Sequence, residues 1–187
     1  PGSATWTITG STDAWAVSVF IEEAVNITPP ANPYEWVLKF TGSPSTGLLF
    51  NNRHVIGTKN YGTIEVATTG SNPAIMVGDT AFDTLKITGV ARTLQFGHAS
   101  GTGYTLTGRD WQISGTAGNL NTLQTYGTTA YNFVKTGGGI VSADYLNLSY
   151  SHATPTSPQT WYAGAHSTDG GNNTGWSFTD PAVQQTV

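Results

Sequence analysis

The chain has 187 residues, a formal net charge of −4 and only 10% charged residues, against 11% aromatic residues and 23 glycines. This length suits one domain with a sizeable core, so we expect a single domain over residues 4–187, following a cloning remnant at residues 1–3. Seven lysines and arginines form no basic stripe for a nucleic acid, and no apolar run reaches the roughly 20 residues that cross a bilayer. We therefore expect neither nucleic-acid nor membrane partners.

The first part of the chain has an ambiguous periodicity. Residues 13–28, DAWAVSVFIEEAVNIT, match a strand and also match a helix, and the β-branched and aromatic VSVFI core favours the strand. Residues 28–36, TPPANPYEW, predict a turn or extended linker, because proline fixes φ and lacks a backbone donor. Further short strands are predicted at EWVLKFTG, GLLFNN, HVIG, GTIEVATTG and AIMVGD.

From Thr84 onward, short runs of alternating apolar residues are separated by glycine-containing turns. The runs are TLKITG, RTLQFG, YTLTG, DWQISG, NTLQTYG, YNFVKTGGG, DYLNLSYS and WYAG. The alternation predicts that one face of each run is buried. The apolar pairs are Leu85 and Ile87, Leu94 and Phe96, Trp111 and Ile113, Tyr131 and Phe133, and Leu146 and Leu148.

Two of these stretches recur. DTLKITG resembles DWQISG, and RTLQFG resembles NTLQTYG, each at a separation on the order of 25 residues, which is typical of solenoid repeats. The sequence therefore predicts an all-β fold, a right-handed parallel β-helix or β-solenoid with a C-terminal cap. A β-sandwich or jelly roll is the alternative. Whether the N-terminal half belongs to the same repeat stays open.

Residues 84–179 resemble the closing coils of Gly/Thr-rich β-helical repeat proteins that occur in phage virions and on bacterial cell surfaces. The resemblance rests on YTLTGRDWQISGTAGNLNTLQTYG and on VSADYLNLSYSHATPTSPQTWYAGAHSTDGGNNTGWSF, and its most specific part is WYAG followed by STDGGNNTGW. It implies a mostly parallel β-helical module displayed on a virion or cell surface. It implies no catalytic set.

The closing segment, residues 161–178, allows three interpretations. Its Asp, Asn and Gly residues favour consecutive turns, with the aromatic residues Trp161, Tyr162, Trp176 and Phe178 covering the end of the core. Its oxygen ligands could hold calcium, although the spacing fits no calcium loop. Aromatic rings beside polar side chains also suit a glycan platform. That platform would consist of Trp161, Tyr162, His166, Asp169, Asn172, Asn173 and Trp176.

Catalysis has less support in the sequence. The carboxylates are scattered, whereas glycoside hydrolysis needs a close pair. A polysaccharide lyase would need a base and cations, and Lys86, Arg92 and Arg109 are the only cluster along the chain; we predict that they lie on solvated strand edges and not in a catalytic site. The histidines are too dispersed to predict a metal site: His54, His98, His152 and His166.

These observations predict a non-enzymatic structural or adhesion module of a phage virion, such as a spike, fibre or decoration protein, or of a bacterial surface. A carbohydrate-binding module is the alternative, and a polysaccharide-cleaving enzyme is the third hypothesis. The expected partners are a surface glycan and further copies of the chain in a homo-oligomer, for which a trimer would be natural. The expected location is the virion or the cell exterior.

Overall fold

The computed structural model describes residues 4–10, 17–20, 36–42, 48–51, 60–69, 72–89, 91–97 and 103–182. Within these ranges the chain forms strands and turns and no helix. Two long sheets have seven strands each, and a small third sheet has three. From β1 to β11, consecutive strands alternate between the two long sheets; from β12 onward, strands of the third sheet come between them, and each strand pairs with one from the preceding pass of the chain.

Neighbouring strands of a sheet are not consecutive in the sequence, and each sheet runs in space from one edge strand to the other. The first sheet contains β1 (Ala4–Gly10), β3 (Trp36–Gly42), β5 (Asn60–Val66), β7 (Thr80–Ile87), β9 (Thr105–Gln112), β11 (Tyr131–Lys135) and β14 (Ser151–Thr154). The second sheet contains β16 (Thr168–Asp169), β13 (Leu146–Leu148), β10 (Asn121–Thr125), β8 (Thr93–Phe96), β6 (Ala74–Val77), β4 (Leu48–Asn51) and β2 (Val17–Phe20). The third sheet contains β12 (Val141–Ser142), β15 (Trp161–Tyr162) and β17 (Trp176–Ser177).

The predicted parallel β-solenoid is confirmed. All strand pairs in the three sheets are parallel, which rules out the antiparallel sandwich that was the alternative. The N-terminal strands belong to the same stack, because β1 pairs with β3 and β2 pairs with β4. The ambiguous segment is a strand at Val17–Phe20. The rest of that segment, residues 28–35 and the HVIG stretch lie outside the described residues.

The core is the column between the sheets, and the five apolar pairs of the alternating pattern predicted part of it. All ten residues of the five apolar pairs are buried: Leu85, Ile87, Leu94, Phe96, Trp111, Ile113, Tyr131, Phe133, Leu146 and Leu148. Aromatic rings connect successive coils through this column. Phe82 meets Trp111 at a centroid distance of 4.9 Å, and Trp111 meets Phe133 at 4.7 Å.

The repeats recognised in the sequence are stacked neighbours. Thr93 to Phe96 of β8 pair in register with Thr122 to Thr125 of β10, an offset of 29 residues. On the first sheet, Leu85 of β7 pairs with Trp111 of β9. Similar residues therefore lie one above the other, as a solenoid repeat requires.

One predicted boundary is wrong. The YTLTG and DWQISG runs were separated at Gly108, but β9 continues through this glycine from Thr105 to Gln112. Gly108 is buried, and a side chain at this position would meet the ring of Phe82 on the neighbouring strand. The glycine serves close packing between coils and does not make a turn.

Candidate functional site

The aromatic residues of the closing segment cover the end of the core, as predicted for a cap. Trp161 is completely buried, and its ring lies 5.0 Å from Trp111 and 5.0 Å from Trp176 between centroids. Its indole Nε1 donates a hydrogen bond to the carbonyl of Thr154 at 2.9 Å. Because no face of this ring reaches solvent, Trp161 extends the core column and offers no stacking surface to a sugar.

The remaining aromatic residues of the segment are half-buried. Trp176 packs against the core, and its Nε1 donates to Ser151 Oγ at 2.9 Å. Phe178 also packs against the core, and Tyr162 follows Trp161 on β15 with its side chain half-buried. These contacts hold the closing segment to the last coil of the solenoid.

The Asp and Asn side chains of the segment form a turn. Asp169 Oδ1 accepts hydrogen bonds from the backbone N–H of Gly171 at 2.9 Å and from Asn173 Nδ2 at 2.6 Å. Asn173 Oδ1 accepts from the N–H of Ser151 at 2.9 Å, and Asn172 is exposed with a φ of 59°. Asp169 thus forms an Asx turn with the backbone two residues on, and Asn173 attaches this turn to the preceding coil. Among the described residues, no group of three His, Asp or Glu side chains is placed to hold a metal.

His166 lies in a different cluster from the tryptophans. Its Nδ1 is 2.8 Å from Asp144 Oδ2, and its ring stacks on Tyr145 at 4.8 Å with an interplanar angle of 12°. Partial burial would raise the pKa of Asp144, but hydrogen bonds from the His166 side chain and from the N–H of Tyr145 hold that pKa below its ordinary value. Sequence reasoning did not find Asp144 or Tyr145. The register that pairs Leu148 with Asp169 also brings Tyr145 beside His166, so this cluster follows once the register is known.

A groove opens on the side of the solenoid, where the third sheet begins. Lys135 at the end of β11 pairs with Gly108 of β9, and further along the two coils the N–H of Gly115 donates to the carbonyl of Asp144. Between these points the coil that follows β11 contains eight residues, 136–143, whereas the coil of β9 beside it contains six, 109–114. The longer connection therefore projects outward, and residues 136–140 are exposed.

The groove has a volume of about 530 Å³. Its polar lining comes from two neighbouring coils and consists of Arg109, Asp110, Gln112, Ser114, Lys135 and Ser142. Its apolar lining comes from Ile87, Trp111, Ile140 and Val141. A concave surface that combines an apolar wall with several polar groups is typical of a ligand site.

The charged groups in the groove are held in place by hydrogen bonds and an ion pair. A terminal nitrogen of Arg109 donates a hydrogen bond to Asp83 Oδ2 at 3.0 Å, and Arg109 Nε lies 2.7 Å from Asp83 Oδ1 in the same ion pair. Lys135 Nζ donates to the carbonyl of Arg109 at 2.7 Å. The Asp110 carboxylate accepts from the N–H of Trp111 at 2.9 Å and from Gln112 Nε2 at 2.7 Å.

The three cations that the sequence suggested as a cluster lie in different environments. Lys86 is on the outer face of the first sheet, and Arg109 lines the groove. Arg92 precedes β8 and is only 3% exposed, so the prediction of a solvated strand edge is wrong for this residue. Its guanidinium donates from its two terminal nitrogens to the carbonyls of Thr68 and Asn72, whereas its buried Nε has no hydrogen-bond partner among the described residues.

No family profile, no curated protein and no solved structure matches this chain. The described residues also contain no helix long and apolar enough to cross a membrane. Within the described residues, the closing segment has the contacts of a cap, and the groove has the lining of a ligand site.

Proposed function

We propose that this chain is a non-enzymatic structural or adhesion module exposed on a phage virion or a bacterial surface. The observation that carries the proposal is the continuous aromatic column through the C-terminal coils. Phe82, Trp111, Phe133, Trp161 and Trp176 contact one another in sequence at centroid distances of 4.9, 4.7, 5.8 and 5.0 Å. Such contacts contribute about 0.5–1.5 kcal/mol each beyond burial, which favours the stable, tightly packed core that an exposed structural module needs.

The closing segment supports the same function. Backbone groups of the last coil are paired with it: Ala153 N–H donates to the carbonyl of Thr174, Thr174 N–H to Ser151, and Tyr150 N–H to Gly171. Paired edges prevent the strand addition that would join one solenoid to another. A module exposed at high local concentration on a particle or cell needs this protection. The resemblance of residues 84–179 to virion and cell-surface β-helical proteins points in the same direction.

The test is labelling of intact particles. Antibodies raised against the purified chain should label intact virions or unpermeabilised cells of the source, and a neighbouring gene set for capsid or tail proteins would accord with the virion location. Labelling only after the particles or cells are broken open would contradict the proposal. An antibody against an internal protein of the same particles is the control.

A homo-oligomer, with a trimer as the natural form, stays a prediction of this function. Sedimentation equilibrium should then give a mass near three times the 19.7 kDa of the chain. A mass of one chain at high protein concentration would contradict the trimer and would leave the surface location unaffected.

Glycan binding is the second candidate function, and the groove is the observation that favours it. The groove combines hydroxyl, amide, carboxylate and ammonium groups with an apolar wall, which are the groups that recognise a sugar. A glycan array incubated with the labelled chain tests this candidate. A chain that binds no glycan on the array would be a purely structural module.

A further inference from the structure

We propose that the groove binds an acidic glycan, with Lys135 as the group that contacts the carboxylate of a uronic acid residue. This inference rests on the second candidate function and moves the expected glycan site away from the tryptophans of the closing segment. It follows from the location of the groove, the partners of its charged groups and the exposure of its apolar wall.

Lys135 is the first reason. Its ammonium group has three donors, and the carbonyl of Arg109 accepts one hydrogen bond from it at 2.7 Å. Among the described residues, no carboxylate lies within ion-pair distance of Lys135, whereas Lys39 pairs with Glu65 and Arg109 pairs with Asp83. A cation at a groove wall with donors to spare favours a ligand that carries negative charge.

Asp110 supplies the second reason. Two donors fix its carboxylate, the N–H of Trp111 and the amide of Gln112, and a carboxylate has about four lone-pair positions. Its orientation is therefore set before a ligand arrives, and its remaining lone pairs can accept hydrogen bonds from sugar hydroxyls. Ser114 and Ser142 add hydroxyl groups that donate or accept at the same groove.

Ile140 is the third reason. This residue is 49% exposed, and it is one of two large hydrophobic residues that are exposed in the described part of the chain. Ile140 lies in the lining of the groove, next to Val141, which also lines it. A pyranose ring has an apolar C–H face that can pack against such a wall while its hydroxyls reach the polar side.

The experiment is a titration of the full chain with oligogalacturonate and, separately, with a neutral cello-oligosaccharide, followed by calorimetry. We expect the acidic ligand to bind more tightly, and we expect 0.5 M NaCl to weaken it because salt screens the contact. Lys135→Gln should lower its affinity about tenfold, since a charge-assisted hydrogen bond is replaced by a neutral one. Lys135→Arg should retain most of the binding.

The matched control is Lys86→Gln, which removes the same charge from the outer face of the first sheet outside the groove. It should leave the affinity unchanged, and melting curves should show that all variants fold. Equal losses in the two Gln variants, equal binding of acidic and neutral ligands, or no binding of oligogalacturonate would overturn the inference. Because surface labelling of virions or cells is independent of these titrations, a failure of this site is distinguishable from a failure of the proposed location.

Discussion

The two long sheets enclose one core but present different outer faces. The first sheet carries nearly all charged strand residues: Lys39, Glu65, Asp83, Lys86, Arg109, Asp110 and Lys135. In the described strands of the second sheet, only Asp169 of the last strand is charged. There, Thr93 lies beside Thr122 and Gln95 beside Gln124.

The difference shows that the fold and the surface are specified separately. Most inward residues of both sheets are apolar and build the stack, with buried polar exceptions such as Asn121 and Ser151, whereas outward residues differ in character between the two sheets. Ion pairs join neighbouring coils on the first sheet, as between Lys39 and Glu65 at 3.0 Å. On the second sheet, uncharged groups join them, as between Asn121 and the N–H of Arg92 at 2.9 Å. Stability should thus depend on pH and salt through the first sheet, where the pKa of Glu65 is lowered, in addition to the contribution of Asp144 beside His166.

The largest expected effect is on the shared core. Trp161→Ala should lower the free energy of unfolding by about 3–5 kcal/mol, because it leaves a cavity in the column that both sheets enclose. Tyr162→Ala, one residue further along β15 and half-buried, should cost less. Urea unfolding followed by circular dichroism measures both. A loss for Trp161→Ala no greater than for Tyr162→Ala would show that Trp161 does not support the core.

The second test addresses the polar groups buried beside the second sheet. The Asn121 amide accepts from Arg92 N–H and donates to the carbonyls of Ile113 and Ser114 at 3.1 and 2.9 Å. Asn121→Ala should cost about 1–3 kcal/mol, because it leaves these buried groups unpaired. Asn132→Ala, on the first sheet and half-buried, should change stability by less than about 0.5 kcal/mol. Equal losses of stability in Asn121→Ala and Asn132→Ala would show that the buried hydrogen bonds of Asn121 do not stabilise the second sheet.

The third test concerns close packing between coils of the first sheet. Gly108→Ala should destabilise the chain by about 1–3 kcal/mol, because the new methyl group displaces the Phe82 ring. Gly138→Ala is the control, since nothing lies near a side chain at that position. Thermal melting should separate the two variants, and an unchanged melting temperature for Gly108→Ala would contradict the packing role of this glycine.

The smallest effect is the pH dependence of the first sheet. Partial burial would raise the pKa of Glu65, but hydrogen bonds from Lys39 and Thr88 hold this pKa below its ordinary value of 4.5. The pair therefore stabilises the fold above about pH 4.5, by about 0–1 kcal/mol, and this contribution is lost as the pH falls through the lower pKa of the folded state.

Measuring unfolding from pH 6 to pH 3 should show a shallower acid decline for Glu65→Gln than for the wild type. Gln124→Ala, on the second sheet, should keep the wild-type slope. If Glu65→Gln kept the wild-type decline in stability at low pH, or if Gln124→Ala lost this decline as well, the charged outer face of the first sheet would not be its source.

The sequence predicted the fold through local alternation and missed contacts that depend on coil length. Period-two patterns identified buried residues such as Leu94 and Phe133 because side-chain direction is a local property of a strand. The Tyr145–His166 stack, the burial of Arg92 and the groove depend on which residues lie above one another. That register varies, with offsets of 29 residues between Arg92 and Asn121 and 26 between Asp83 and Arg109. The turns between the strands differ in length, and these lengths determine the register between neighbouring coils.

The connection between β11 and β12, residues 136–140, can vary without affecting the strands that it joins. Gly137 and Gly139 adopt positive φ angles of 72° and 80°, so the connection can leave the stack and return without disturbing the strands on either side. Changing a few residues of this connection should therefore alter the proposed ligand site while the strands stay in place. Other sequences grafted between Thr136 and Val141 should be displayed on the side of the solenoid, next to the groove.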